Sequence, residues 1–110
     1  MTRWDVVTLP EAEDDLTHIH DYIADMLREP ATALKLVTRI RKAIAGLDSM
    51  PERFPLYDSE PWRSKGLHTM TVRNYVVLYH IEERLDTVFV DSVLYGARDI
   101  DSVLEEKLDL

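Results

Sequence analysis

Apolar residues recur at helical spacing along the first half of the chain and in β-type runs along the second. Residues 4–9, "WDVVTL", form a short run of strand type. Thr8 and Glu11 then have the spacing of a capping box and Pro10 suits a first helical turn, so a helix should begin here. Ala12, Leu16, Ile19, Ile23 and Met26 or Leu27 follow as one apolar stripe. Acidic residues crowd the remaining faces. Pro30 interrupts the pattern, and Ala33, Val37, Ile40, Ile44 and Leu47 start a second stripe that stops before Pro51. Two amphipathic helices joined by a short break make an αα-hairpin.

Residues 51–66, "PERFPLYDSEPWRSKG", hold three prolines, one glycine and three aromatics, a loop composition with enough apolar area to lie down on the domain. The runs "LHTMTVR", "YVVLYHI" and "TVFVDSVLY" come next, each rich in β-branched or aromatic residues and linked closely enough for antiparallel hairpins. The remainder, "IDSVLEEKLDL", suits a short acidic helix with Val103, Leu104 and Leu108 apolar. The expected fold is α+β: a small antiparallel sheet packed against an N-terminal helical hairpin, in the order β-α-α-β-β-β with a short C-terminal helix, as one domain over residues 1–110. Such a sheet buries both stripes on one side and leaves its other side open. Tyr75, Val77, Tyr79 and Ile81 should share one face of the middle strand, with Val76, Leu78 and His80 on the other. Asp91 fits neither face, so a bulge or a partner is expected for it.

Composition narrows the class. A chain of 110 residues without cysteine offers no disulfide, thiolate metal site or cysteine nucleophile. With no signal-type apolar core and no apolar stretch near the roughly 18–20 residues that span a bilayer, a soluble cytoplasmic protein is expected. The net charge of −8 has the wrong sign for binding nucleic acid through an overall field. It is unevenly spread: −3 over residues 1–50, −1 over 51–98 and −4 over 99–110. The second helix is locally basic, with Lys35, Arg39, Arg41 and Lys42, and this face either meets solvent or fits a partner.

Several residues have the chemistry of a site. His68 and His80 lie in neighbouring strands, and two imidazoles beside a phosphate would make a base and an acid, although strand histidines are more often structural. Asp14, His18, Asp21 and Asp25 align on the first helix, but donors on a single helix rarely converge on a metal, so a solvated stripe and no metal are expected. With glycines only at 46, 66 and 96 there is no phosphate-cradling loop, and no cofactor is expected. Arg53, Arg63, Lys65, Arg73 and Arg98 sit in the loop or at strand ends, where a guanidinium can brace a carboxylate such as Asp99, bind a partner or stabilise a phosphate.

The ordered segments "PEAEDDLTHIHDYI", "SMPERFP", "VRNYVVLYHI" and "VFVDSVLYGARDI" resemble the ParE/RelE superfamily of bacterial toxins from toxin–antitoxin modules. The resemblance rests on Ala12, Asp15 and Leu16 in the first helix, on Asn74-Tyr75 with Tyr79 four residues on, and on a last strand closing in an aromatic, Gly96, Arg98 and Asp99. It implies the same fold, and it implies one of two activities. The RelE-like branch cuts messenger RNA in the ribosomal A site with basic side chains on its strands and a tyrosine near the carboxy terminus. Here Thr69 and Thr71 stand where that branch has lysines, Val76 and Gly96 where it has arginines, and no tyrosine follows Tyr95. The ParE-like branch instead inhibits DNA gyrase by binding it, which needs a surface and no catalytic constellation.

The resemblance therefore implies a gyrase-binding toxin without catalytic residues. The alternatives are a ribosome-dependent endoribonuclease built from His68, His80, Arg73, Tyr95 and Arg98, or an inactive remnant that still binds antitoxin. A cognate antitoxin is implied in each case, its disordered segment folding over the toxin in a hetero-oligomer, with homodimers also open. Lys35, Arg39, Arg41, Lys42, Arg63, Lys65, Arg73 and Arg98 are the expected partner contacts. Arg98 is expected to hold the carboxy-terminal segment or a partner, Asp99 to accept from Arg98 or cap the last helix, and Gly96 to allow a backbone bend.

Overall fold

A computed structural model describes residues 3–96 and 98–107. The elements run β1 (Asp5–Thr8), α1 (Pro10–Asp21), α2 (Pro30–Ala45), β2 (His68–Val72), β3 (Tyr75–Glu82), β4 (Thr87–Tyr95) and α3 (Ile100–Lys107). The strand order is β1-β4-β3-β2. β2, β3 and β4 pair antiparallel as expected, while β1 adds to β4 in parallel and makes the sheet mixed. The parallel pairing follows from the helical hairpin, which carries the chain from β1 back across the sheet before the meander begins.

Proline opens α1, but the expected cap at Thr8 does not form: Leu9 is the N-cap and no side chain bonds to the free amides. Thr8 is instead the last residue of β1, paired with Val90. Ala12, Leu16 and Ile23 are buried as the stripe predicts, yet Met26 is 73% exposed and Leu27 52%. A π turn over Tyr22–Met26, with Leu27 N–H donating to Tyr22 O at 3.2 Å, shifts the helical phase and carries these two residues off the core. The second stripe keeps its phase, with Ala33, Ile40, Ile44 and Leu47 buried. The main core lies between this hairpin and the sheet face of Val77, Tyr79, Val88 and Val90. Tyr79 is fully buried there, its hydroxyl donating to Pro51 O at 2.6 Å, and burial pushes its pKa up to about 12.

The other face is not open. Trp62 and Leu67 from the loop and Leu104 from α3 cover Leu78 and Leu94, forming a second apolar cluster, with Ile100 and Val103 packed against it. Tyr57 donates to Asp101 at 2.7 Å and ties loop to helix. Asp99 caps α3, accepting from Ser102 N at 3.3 Å and Ser102 Oγ at 2.8 Å, so capping is the role realised of the two expected for it. Leu108 lies outside the described residues.

Asp91 has both the bulge and the partner. The β3–β4 register passes from Leu78↔Ser92 to Tyr79↔Val90, leaving Asp91 as the extra residue. Gly96 lies in the turn that leaves β4, as expected, and close approach constrains it as well. Its N–H donates to Asn74 O at 2.8 Å, and a Cβ there would come within 3.2 Å of the same oxygen.

Candidate docking groove

β1 ends opposite Val90, whereas β4 runs on to Tyr95, so among the described residues the far part of β4 has no strand on its outer side. α1 crosses this edge. Asp15 accepts from Ser92 Oγ at 2.6 Å and from Val93 N at 2.9 Å, satisfying a main-chain donor that β1 does not reach. Between the helical hairpin and this end of the sheet lies a groove with Ile19, Ile23, Leu27, Leu34 and Leu36 on the helical side and Tyr75, Val93 and Tyr95 on the strands. The Tyr75 and Tyr95 rings meet at 5.6 Å, tilted by 60°, and burial raises the pKa of Tyr75.

Lys35, Arg39 and Lys42 of α2, Arg73 of the β2–β3 turn and Arg98 line the same groove. None of these five side chains forms an ion pair among the described residues. Arg73 reaches its place from a left-handed backbone with φ of 55°, a conformation uncommon for a residue with a side chain. Three of the expected partner contacts lie elsewhere. Arg41 makes a two-pronged ion pair with Glu13 at 3.0 and 2.9 Å, which lowers the Glu13 pKa and raises that of Arg41. Arg63 and Lys65 are exposed in the turn beside Trp62 and do not line the groove. Arg53 donates to the carbonyls of Ser49, Met50 and Gly46 and lies 4.7 Å from the Phe54 ring centroid, bracing the end of α2.

The imidazoles are apart from these cations and from each other. His68 Nδ1 donates to Phe54 O at 2.7 Å, and its ring stacks on Tyr79 at 5.1 Å. It stands on the helical face, opposite Tyr79 in the register. His80 is on the other face, where Nδ1 donates to Asp91 Oδ2 at 2.7 Å and the ring stacks on Phe89 at 5.4 Å. The Asp91 bond raises the His80 pKa against the opposing effect of burial, and Glu82, 3.7 Å from Nε2, adds to the rise. Of the expected nuclease set only Arg73, Tyr95 and Arg98 share the groove.

Sequence reasoning missed Asp15 as the cap of the β4 edge, and Tyr22, Leu34 and His18 as groove residues. Tyr22 and Leu34 carried a signal, since both are apolar yet fall outside the two core stripes. His18 is the one imidazole in the groove lining among the described residues. No group of three or more acidic or imidazole side chains among the described residues is placed to hold a metal, and no described helix is long and apolar enough to cross a membrane.

Residues 6–100 match the family profile of the ParE toxin of the type II toxin–antitoxin system parDE. Among solved structures, the chromosomal ParDE system of P. aeruginosa superposes with a TM-score of 0.70 at 20% identity, over 84% of this chain and 96% of the other. The RelBE2 toxin–antitoxin complex of Mycobacterium tuberculosis gives 0.61 at 19% identity, covering 89% and 97%. A mutant of the E. coli toxin RelE in the free state gives 0.64 at 14% identity, covering 97% and 96%. At these identities the structural likeness speaks for the fold. No curated protein sequence matches this one.

Proposed function

The chain belongs to the ParE toxin family of type II toxin–antitoxin systems, and on that premise we propose that it arrests growth by docking on DNA gyrase and is silenced by a cognate antitoxin. The observation that carries this reading is the separation of the two strand imidazoles, His68 and His80, from the groove's cations. Cutting a phosphodiester needs a group to take the 2′-hydroxyl proton, another to protonate the leaving oxygen, and cations on the developing charge, all within reach of one phosphate. His68 and His80 are bonded on opposite faces of the sheet, and neither lines the groove that holds Arg73, Tyr95 and Arg98. A binding inhibitor requires no such convergence.

The groove has the character of an antitoxin site. Its apolar floor fits the buried stripe of an amphipathic segment, and its five cations fit acidic residues on that segment's flanks. On a chain of net charge −8 this local excess of positive charge is what a disordered acidic partner would find first. Folding into the groove covers the exposed Tyr22, Leu27, Leu34 and Tyr95 and keeps the toxin from its target.

Induced expression in a bacterial host tests the proposal. Filamentation with a DNA-damage response is the expected outcome. Prompt loss of translation with cleavage of A-site codons overturns it in favour of an endoribonuclease, and undisturbed growth marks an inactive antitoxin-binding remnant.

A further inference from the structure

The bulge at Asp91 changes which residues of β4 face the helices. Before it, Val88 and Val90 join the core under the hairpin; after it, Val93 does so, while Leu94 joins the cluster beneath α3. Even-numbered positions point to the hairpin on one side of the bulge and odd-numbered positions on the other. Without the extra residue, the far half of β4 would turn over, because side chains alternate with period two. The bulge therefore puts Val93 and Tyr95, paired with Val77 and Tyr75, on the hairpin face beside the groove.

The bulge is held from two directions. Asp15 of α1 grips it on the groove side through Ser92 Oγ and Val93 N. His80 grips it on the far side through Asp91, whose side chain is only 9% exposed. A carboxylate buried to that degree requires a donor, and His80 Nδ1 at 2.7 Å supplies one.

We infer that His80 is a positioning residue for the docking groove, acting across the sheet: its bond to Asp91 fixes the bulge that aims Val93 and Tyr95 into the groove. The inference rests on the groove being the binding surface, as proposed above, but the mechanical link stands in the isolated chain. It makes the groove wall respond to a proton on the opposite face. The charged groups acting on the imidazole are Asp91 from β4 and Glu82 from its own strand, and the stacked Phe89 is neutral. When the imidazole is protonated the bond to Asp91 joins two full charges; when it is neutral the bond weakens to a singly charged one. The bulge, and with it the Val93 amide bonded to Asp15, should loosen as pH rises through the His80 transition.

Amide hydrogen exchange of Val93, followed by NMR across pH on the full-length wild-type chain and corrected for the intrinsic pH dependence of exchange, tests the link without any partner. The expected result is a several-fold fall in Val93 protection whose midpoint coincides with that of the His80 ring resonances. In His80→Asn, which retains a donor for Asp91, that step should disappear. Persistence of the step in His80→Asn would assign it to a group other than His80 and overturn the inference. Level Val93 protection through the His80 transition would overturn it too. Failure of gyrase or antitoxin to bind would count against the groove reading alone, leaving this result intact.

Discussion

The two sides of the sheet are both apolar, but only one of them is finished. Beneath α3, Trp62 and Leu104 are 3% and 0% exposed, and the loop that brings Trp62 is tied down by Tyr57 and Asp101. On the hairpin side the core is equally dry at Val77 and Val90, yet toward the end of β4 it opens into a groove with Tyr22, Leu27, Leu34 and Tyr95 at its margin, all more than 40% exposed. The cations divide in the same way. Arg53 and Arg41 are occupied by the chain's own carbonyls and carboxylate, whereas the groove's five form no ion pair among the described residues. Exposed aromatic area beside such charge is the surface character on which the docking proposal rests.

Substitutions should separate the two sides. Trp62→Ala removes the largest side chain of the finished cluster and should cost about 3–5 kcal/mol, read as a lowered urea midpoint. Asp15→Ala lies at the seam between fold and groove. It strands the Val93 amide and should cost about 1–3 kcal/mol, with Asp15→Asn closer to wild type because one oxygen can still accept.

A smaller, pH-dependent effect belongs to His80. Its folded pKa is raised above the ordinary 6.5 chiefly by the bond to Asp91, so its contribution is fully present below about pH 6.5 and disappears as pH rises through the higher folded value. The stability difference between wild type and His80→Asn should therefore shrink on going from pH 6 to alkaline conditions, as urea titrations at several pH values would register. Growth of that difference with pH would contradict the assignment.

Lys35→Glu with Arg39→Glu should change stability least, by under about 0.5 kcal/mol per site, while abolishing antitoxin binding in a calorimetric titration. Arg41→Ala breaks an exposed ion pair worth about 0.2–1 kcal/mol and should leave that binding unchanged. If Arg41→Ala weakened binding as much as the double reversal, the division between occupied and available cations would be wrong.

Much of this molecule was legible in its sequence. The stripes through Leu16 and Ile40 marked the hairpin, and the runs through Met70, Val77 and Val90 marked three strands, because each element has one dominant period. Asp91 was legible as an anomaly, a charge in an apolar strand that needed a bulge or partner and has both. The parallel pairing of β1 was not, since strand direction depends on where the hairpin returns the chain. Nor was the cover over the second face, although Trp62 in a proline-rich loop hinted at it. The π turn hid for a different reason: an inserted residue shifts the phase without altering composition, so Met26 and Leu27 read as core. Among the candidate site residues, charge alone could not distinguish Arg39 from Arg41, because the difference lies in Glu13 reaching across from α1.

The central claim is that this chain acts by docking and breaks no phosphodiester itself. The most direct measurement incubates purified protein with DNA gyrase and supercoiled plasmid, then denatures the mixture and resolves the DNA forms. Accumulation of linear DNA that depends on gyrase, together with intact transcripts on translating ribosomes exposed to the same protein, is the predicted result. Unaltered gyrase activity alongside cut transcripts would contradict it.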